Sequence, residues 1–457
     1  MKLTLKNSIL LGCALLALPS AAQTTETGYF NDEYTFRYEM NPAMGNSRNF
    51  VSIPALGNIN IDFAGTLHTN AVLYNVDGKT TTFLNPQLSA AEVMKKFKDT
   101  NRLDIGTKID VISFGFKGIG GYNTVTIGAR ADVGLRIPKT FFQLAKEGIS
   151  NQNYDITNLG AQAQAYAEVA LNHSRNITSE WRVGATVKFL VGLGNVDIRM
   201  NKAQLDLGYD SWNVLSNAEI NTSIANFRYK TKMNDNTHHE YVSGMDVDGV
   251  KPNGFGLGFD LGAVYSPEAL PDWRFSAALL DLGFISWGEN YVASTNGDRT
   301  FRTDKYTFNV DDDATNSFKN EWEILKDDLS GLYELEDMGN QGGRTTALHT
   351  SFNIGAEYSL PVYKPLSFGL LNTTRLAGKY TWTDFRLSAN IAPCKVFSAS
   401  ASVSAGTFGC GFGWLMNVHT PGFNFFLGMD HTLGKLAKQG VPLNSNGSVN
   451  LGLSVLF

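Results

Sequence analysis

The 457-residue chain is short of charge, of proline and of cysteine. Only 18% of its residues are charged, against roughly 25% in an average soluble domain. With 38 basic and 43 acidic residues the net charge is -5, so no basic surface for nucleic acid is implied and a highly charged disordered chain is excluded. Thirteen prolines beside 45 glycines exclude a collagen-like repeat. Three cysteines cannot make a disulfide framework. Cys394 and Cys410 flank a strand of about a dozen residues, which at roughly 3.3 Å per residue separates its ends by over ~30 Å. A disulfide tolerates a Cα separation of about 7 Å, so none is expected. After residue 22 no segment approaches the ~18 uninterrupted apolar residues of a spanning helix.

What is present is apolar and aromatic: 43% hydrophobic residues, with 29 phenylalanines and 17 tyrosines. Residues 1–22 read as an export signal, with Lys2 and Lys6 at a basic start, an apolar stretch from Ile9 to Leu18, and Ser20-Ala21-Ala22 as a small-residue cleavage site before Gln23. A rival lipoprotein box at Leu10-Leu11-Gly12-Cys13 fails because the apolar run continues to Leu18. High apolar content without a spanning helix is reconciled by a membrane barrel.

Period-two alternation supports that reading, because it sends successive side chains to opposite faces of a sheet. From Thr124 to Arg136, Val125, Ile127, Ala129, Ala131, Val133 and Leu135 share one face while Thr126, Gly128, Arg130, Asp132 and Gly134 share the other. The pattern returns at 161–171, 183–193, 255–265 and 348–360, and at 397–405, where Ser398, Ser400, Ser402 and Ser404 alternate with apolar residues. The polar faces carry Gly, Ser, Thr and Gln rather than the Lys and Glu of a soluble sandwich.

Such segments predict strands near 58–68, 103–117, 121–136, 160–173, 181–194, 253–267, 272–286, 347–360, 365–378, 382–391, 396–407, 410–418, 423–432 and 448–457. The expectation is an all-β chain: a transmembrane antiparallel β-barrel of about fourteen strands. Connections such as Gly118-Ile119-Gly120-Gly121 and Ala392-Pro393-Cys394-Lys395 are short, whereas 69–102, 137–159, 195–252 and 287–346 are long. The long ones share one parity, as outside loops do. The chain ends in an alternating strand, Val449 to Phe457, with a terminal aromatic that resembles the C-terminal signature of outer-membrane barrels. The organisation expected is a signal peptide at 1–22, a hatch or plug at 23–57 and an outer-membrane barrel at 58–457, with extracellular insertions near 195–252 and 287–346. Within the outside loops, Ser89-Ala90-Ala91-Glu92 predicts a capping box opening a short helix. Pro138 to Gly148 predicts another helix. Asn320 to Met338 predicts an amphipathic helix over the barrel mouth.

No catalytic constellation emerges. The seven histidines form no H-E-x-x-H zinc site, and no G-x-S-x-G elbow is present. Gly254-Phe255-Gly256-Leu257-Gly258 alternates as strand rather than forming a phosphate loop. Asp246-Val247-Asp248-Gly249 and Asp311-Asp312-Asp313 lack EF-hand spacing and read as solvated acidic loops. No enzyme, cofactor or metal is expected. The inward-facing ionisable residues are Asp104, Lys108, Asp110, Arg130, Asp132, Arg136, Glu168, Arg182, Lys188, Asp260 and Glu357. Their mixed signs suit either a braced wall or a gated path.

Asn41-Pro42-Ala43, ahead of the first strand, resembles the N-P-A element in the N-terminal hatch of the long-chain fatty acid transporter superfamily. Asp281 to Trp287 and Gly184 to Gly194 resemble a large Bacteroidota outer-membrane family within it, a superfamily that also contains the shuttle barrel of the type IX secretion system. The resemblance spans nearly the whole mature chain. It implies that Asn41, Pro42 and Ala43 sit in a hatch that enters the barrel from the periplasmic side. It also implies a Gram-negative outer-membrane location, contact with outer-membrane lipid, and uptake of a small hydrophobic molecule through a hatch-controlled lumen or a lateral opening. The alternative expectation is a non-enzymatic docking or shuttle protein whose outside loops meet a surface or secreted protein partner.

Overall fold

The computed structural model describes residues 25–147, 152–207, 212–233, 239–302, 334–430 and 446–457. Fourteen antiparallel strands form the wall. They are β1 (Asn58–Gly65), β2 (Thr100–Gly118), β3 (Gly121–Pro138), β4 (Gly160–Asn176), β5 (Trp181–Leu207), β6 (Gly254–Tyr265) and β7 (Trp273–Trp287). There follow β8 (Thr350–Ser359), β9 (Leu366–Leu376), β10 (Trp382–Cys394), β11 (Phe397–Gly406), β12 (Gly409–Thr420), β13 (Phe423–Met429) and β14 (Gly447–Leu456). Each pairs with its sequence neighbour. The ring closes because β1 bonds to β2 on one side, as at Ile61 with Thr107, and to β14 on the other, as at Ile59 with Leu451. A short piece before β1, Phe50–Ser52, pairs with the same two neighbours. Closure leaves the wall no free edge, which the hydrocarbon region of a membrane requires.

Alternation sets the two faces. On β6, Phe255 is 70% exposed and Leu261 53% exposed on the outer face, while Asp260 between them in the inward set is 2% exposed. On β11, Ser398, Ser400, Ser402 and Ser404 all turn inward and are buried. The β2–β3 turn is two residues long, with Ile119 at φ 53° and Gly120 at φ 72°; these positive values give the turn a twist that matches the flanking strands. Cys394 and Cys410 are both free thiols.

One irregularity matters for the interior. On β7, Ser276, Ala278 and Leu280 are buried on the inner face, and beyond Asp281 the buried residues become Ile285 and Trp287. The even set gives way to the odd set at a bulge, marked by a register shift against β6 between Phe259 and Leu261. Asp281 sits there at φ 58°, a left-handed conformation that Asp tolerates better than most residues. Leu280 and Asp281 therefore both line the lumen.

The long connections lie at one end of the ring, together with the short β9–β10 and β11–β12 connections, and the other end carries short turns only. The 195–252 insertion is largely strand: β5 runs on to Leu207, Trp212–Ile224 pairs back on it, and Phe227–Met233 pairs with Glu240–Val247. Tyr291–Ser294 and Arg299–Arg302 add to Trp212–Ile224, and Glu336–Asn340 adds to Tyr291–Ser294. The 27 residues of β5 reach about 90 Å at roughly 3.3 Å each, far beyond a hydrocarbon core of about 30 Å. The helix expected at Asn320 to Met338 lies outside the described residues except for its end, where Glu336–Asn340 is strand. A helix does form at Ala90–Met94, but Ser89 makes no side-chain cap hydrogen bond, so the expected capping box is absent. Lys139–Glu147 is helical as the sequence predicts. These two helices share a small core in which Phe97 stacks on Phe142 at 4.1 Å with Phe83 beside them.

Candidate functional site

Among the described residues, the largest buried aromatic cluster lies inside the ring and comes from the chain that precedes the wall. Tyr29, Phe30, Tyr34, Phe36, Tyr38 and Met40 are buried against Phe50, Tyr122, Leu371, Leu415 and Phe426 of the wall. Phe36 meets Phe50 and Phe426 at ring distances of 5.7 Å. Two 3-10 turns, Glu26–Gly28 and Arg37–Glu39, fold the segment compactly. It makes no ladder pairing with the wall; its hold comes from side chains and turns.

The N-P-A element sits at the short-turn end, against β5 and β6. Asn41 donates its amide to the carbonyls of Ala263 and Ala277 at 3.3 Å and to the Tyr29 hydroxyl at 3.2 Å. The Ala43 N–H donates to the Asn41 side-chain oxygen at 3.0 Å, which closes the turn. Asn172 donates to the Pro42 carbonyl at 3.3 Å. Gly184 and Gly262 are direct partners across β5 and β6. A Cβ on Gly184 would collide with the Pro42 carbonyl, and one on Gly262 with the Asn41 side-chain oxygen. Two facing glycines thus form the hollow that admits the turn.

At its other end the segment is anchored mid-lumen. The N–H groups of Glu26 and Thr27 donate to the two Asp430 oxygens at 2.7 and 2.9 Å. Arg386, 2% exposed, reaches Glu26 at 3.3 Å, Asp384 at 3.2 Å and Asp430 at 3.2 Å. Burial, with Asp384 and Asp430 nearby, pushes the Glu26 carboxyl up to about 8 in spite of Arg386. The serine face of β11 also reads the segment: Ser402 bonds Thr27 at 2.8 Å, and Ser398 and Ser400 bond Asn31 at 3.0 and 3.1 Å.

Most of the expected lumen charges join a network through partners that the sequence reading did not include. Lys188 contacts Asp260 at 2.8 Å and Asp281 at 2.5 Å. Arg130 contacts Glu168 at 3.0 Å and Asp281 at 3.1 Å. Lys108 pairs with Glu39 of the inner segment and lies 3.6 Å from Asp110. Burial and Asp110 hold the Glu39 carboxyl well above the usual range against that lysine. Asp132 pairs with Arg375 at 2.8 Å, and Glu357 with Arg274 at 2.5 Å. Arg182 donates to Ser174 at 3.1 Å. Asp104 and Arg136 stand apart toward the long-loop end, without an ion-pair partner among the described residues. A cavity of about 80 Å³ lies between the inner segment and this network, lined by Glu39, Lys108, Arg130, Asp281 and Arg375 among others.

The missed residues carried signals of two kinds. Glu26 and Glu39 belong to a stretch whose alternation of Tyr34, Phe36, Tyr38 and Met40 marks burial. Asp281 was hidden because the bulge breaks the parity on which inward positions are counted. Among the described residues no group of three or more His, Cys, Asp or Glu is placed to hold a metal. Asp246 pairs with Lys230 at 3.2 Å, and Asp311 to Asp313 lie outside the described residues.

No curated protein matches the chain in sequence. Among solved structures, the Ralstonia pickettii toluene transporter TbuX is similar at 9% identity over 92% of each chain, with a TM-score of 0.39. The Pseudomonas putida toluene transporter TodX is similar at 8% identity over 91% of this chain and 92% of its own, also with a TM-score of 0.39. A Pseudomonas aeruginosa FadL homologue is similar at 10% identity over 96% of this chain and 99% of its own, at the same TM-score. The family of unknown function DUF5723 matches residues 42–430, from the second residue of the N-P-A element through the last strand but one, and the chain belongs to it.

Proposed function

We propose that the protein is an outer-membrane barrel in which residues 25–49 act as a hatch controlling passage of a small molecule. The observation that carries this reading is the seating of Asn41-Pro42-Ala43 in the hollow between Gly184 and Gly262. The segment fills the lumen, yet it joins the wall covalently only at Phe50 and makes no ladder pairs. Its departure would leave every hydrogen bond between wall strands intact, which is what a removable closure needs.

The cargo we assign is hydrophobic in its body. The mid-lumen is charged, but the wall of β7 to β9 is thin beside the hatch. On its inner face Phe30 presses on Gly355 and Gly369. On its outer face Phe275, Ile354, Leu370 and Phe385 line an apolar groove of about 400 Å³. A lateral route between lumen and bilayer would cross here. Deleting residues 25–49 tests the hatch in planar bilayers: the intact protein should stay closed and the deletion should give steady conductance. Equal conductance of the two would overturn the reading.

A second reading, docking of a surface or secreted protein, is supported by the sheet that β5 and Trp212–Ile224 build beyond the wall at the long-loop end. Removing residues 291–340 while keeping the wall should then abolish co-purification of a defined partner and leave conductance unchanged.

A further inference from the structure

The β9–β10 turn does not lean outward as a loop at a barrel mouth would. Tyr380, in the 3-10 turn Gly378–Tyr380, crosses the lumen and packs on Gly134 of β3 and Gly160 of β4, on the far side of the ring. Two arginines meet this turn from the wall. Arg102 and Arg136 are direct partners across β2 and β3, and like charges placed so oppose the pairing. Neither enters an ion pair among the described residues.

Their donors are largely unused. Arg102 donates through Nη1 to the Thr381 carbonyl at 2.8 Å, while its Nε and Nη2 are buried without a hydrogen-bond partner. The Nε of Arg136 is likewise buried and unpartnered. Leaving a buried donor unmade is costly; Arg37 and Arg182 also carry an unpartnered buried Nε, but Arg102 combines two such atoms with a like-charged neighbour directly across the ladder. The guanidinium of Arg102 lies 5.6 Å from the Phe408 ring and that of Arg136 5.8 Å from the Tyr380 ring, with Trp382 6.2 Å from Phe408. Asp104 follows Arg102 by two residues, but its Oδ2 is also unpartnered. Asp104 is the carboxylate that acts on Arg102; Asp62 and Asp132 line the adjoining cavity of about 20 Å³ with it, and Asp132 is already paired with Arg375.

We propose that Arg102, Arg136 and the Tyr380 turn bind a small organic anion, a carboxylate carried on a planar apolar body. Planar N–H forks match a carboxylate, and Tyr380, Phe408 and Trp382 supply the apolar walls. Because the forks point into the ring and lie under the turn, a soluble molecule reaches them and a lipid headgroup on the outer face does not. This refines the cargo of the hatch reading, but its test reads binding rather than passage, so either can fail without the other.

The experiment is calorimetric titration of the full chain in non-ionic detergent with sodium benzoate, benzyl alcohol and inorganic phosphate. Benzoate should bind, and Arg136→Gln and Arg102→Gln should each weaken it at least tenfold. Arg102 also holds the turn, so Arg136→Gln is the cleaner variant, and Arg136→Lys should restore part of the affinity. Absence of benzoate binding, equal binding of benzyl alcohol, or unchanged affinity in Arg136→Gln would each overturn the site. Inorganic phosphate binding as tightly as benzoate would overturn the apolar component.

Discussion

The middle of the lumen and its long-loop end handle buried charge in opposite ways. At mid-lumen, charge is matched: Lys188 and Arg130 share Asp281, Lys108 meets Glu39, and Arg386 meets Glu26, Asp384 and Asp430. At the long-loop end Arg102 and Arg136 face each other with donors unspent. Buried polar groups are ordinarily bonded, so the matched region reads as a closure held in one arrangement. The unmatched end reads as a place where something else supplies the acceptors. On the two proposals, closure and recognition would be separated along the barrel axis.

The largest expected effect follows from filling the glycine hollow. In Gly262→Val the added carbons would occupy the position of the Asn41 side-chain oxygen, so the N-P-A turn cannot seat. Conductance should approach that of the protein lacking residues 25–49. Gly288→Val, a control where a Cβ meets nothing closer than 3.5 Å, should stay closed. A closed Gly262→Val would erase the distinction between the two regions.

A smaller effect is expected from Asp281→Ala. It leaves Lys188 and Arg130 buried with one partner fewer, and breaking a buried pair from one side costs about 3–5 kcal/mol. Denaturant unfolding in detergent should show that loss. Arg136→Gln, at the unmatched end, should be neutral or stabilising in the same assay. Equal losses in the two variants would remove the contrast.

The smallest effect concerns pH. The Glu26 carboxyl is raised from 4.5 to about 8 where it is seated, so seating takes up a proton. Arg386, Asp384, Asp430 and Asp62 are the charged groups around it. By linkage this contribution to seating is complete below about pH 4.5 and is lost as pH rises through about 8. Hatch opening frequency should therefore rise from pH 5 to pH 8, and Glu26→Gln should flatten the dependence. A profile unchanged by that substitution would remove Glu26 from the account.

Much of the wall was legible in the sequence, because alternation has a physical cause that acts at every strand. Thirteen of the fourteen wall strands appear close to their expected bounds while β5 runs on to Leu207, and the even-numbered inward set holds on β3 and on β2 up to Asp110, where a second bulge turns Ser113 inward. The N-P-A element could be placed ahead of the wall but not oriented, since its socket depends on Gly184 and Gly262 meeting across a register that sequence spacing does not define. Asp281 was illegible for a related reason: one inserted residue reverses parity for the remainder of β7. The insertion at 195–252 looked like loop because its strands bury only a small core, Phe227 and Tyr229 against Ala293 from a distant part of the chain, so alternation there carries little signal.

The central claim, that residues 25–49 lie inside the ring, is most directly tested by a tether. The hydroxyls of Thr27 and Ser402 are 2.8 Å apart, so Thr27→Cys with Ser402→Cys, in a chain with Cys394→Ser and Cys410→Ser, brings two thiols to bonding range. In native membranes the pair should oxidise to a disulfide in most molecules, detected by mass, and conductance should then stay closed until a reductant is added. Two free thiols that both react with a membrane-impermeant maleimide would contradict the account.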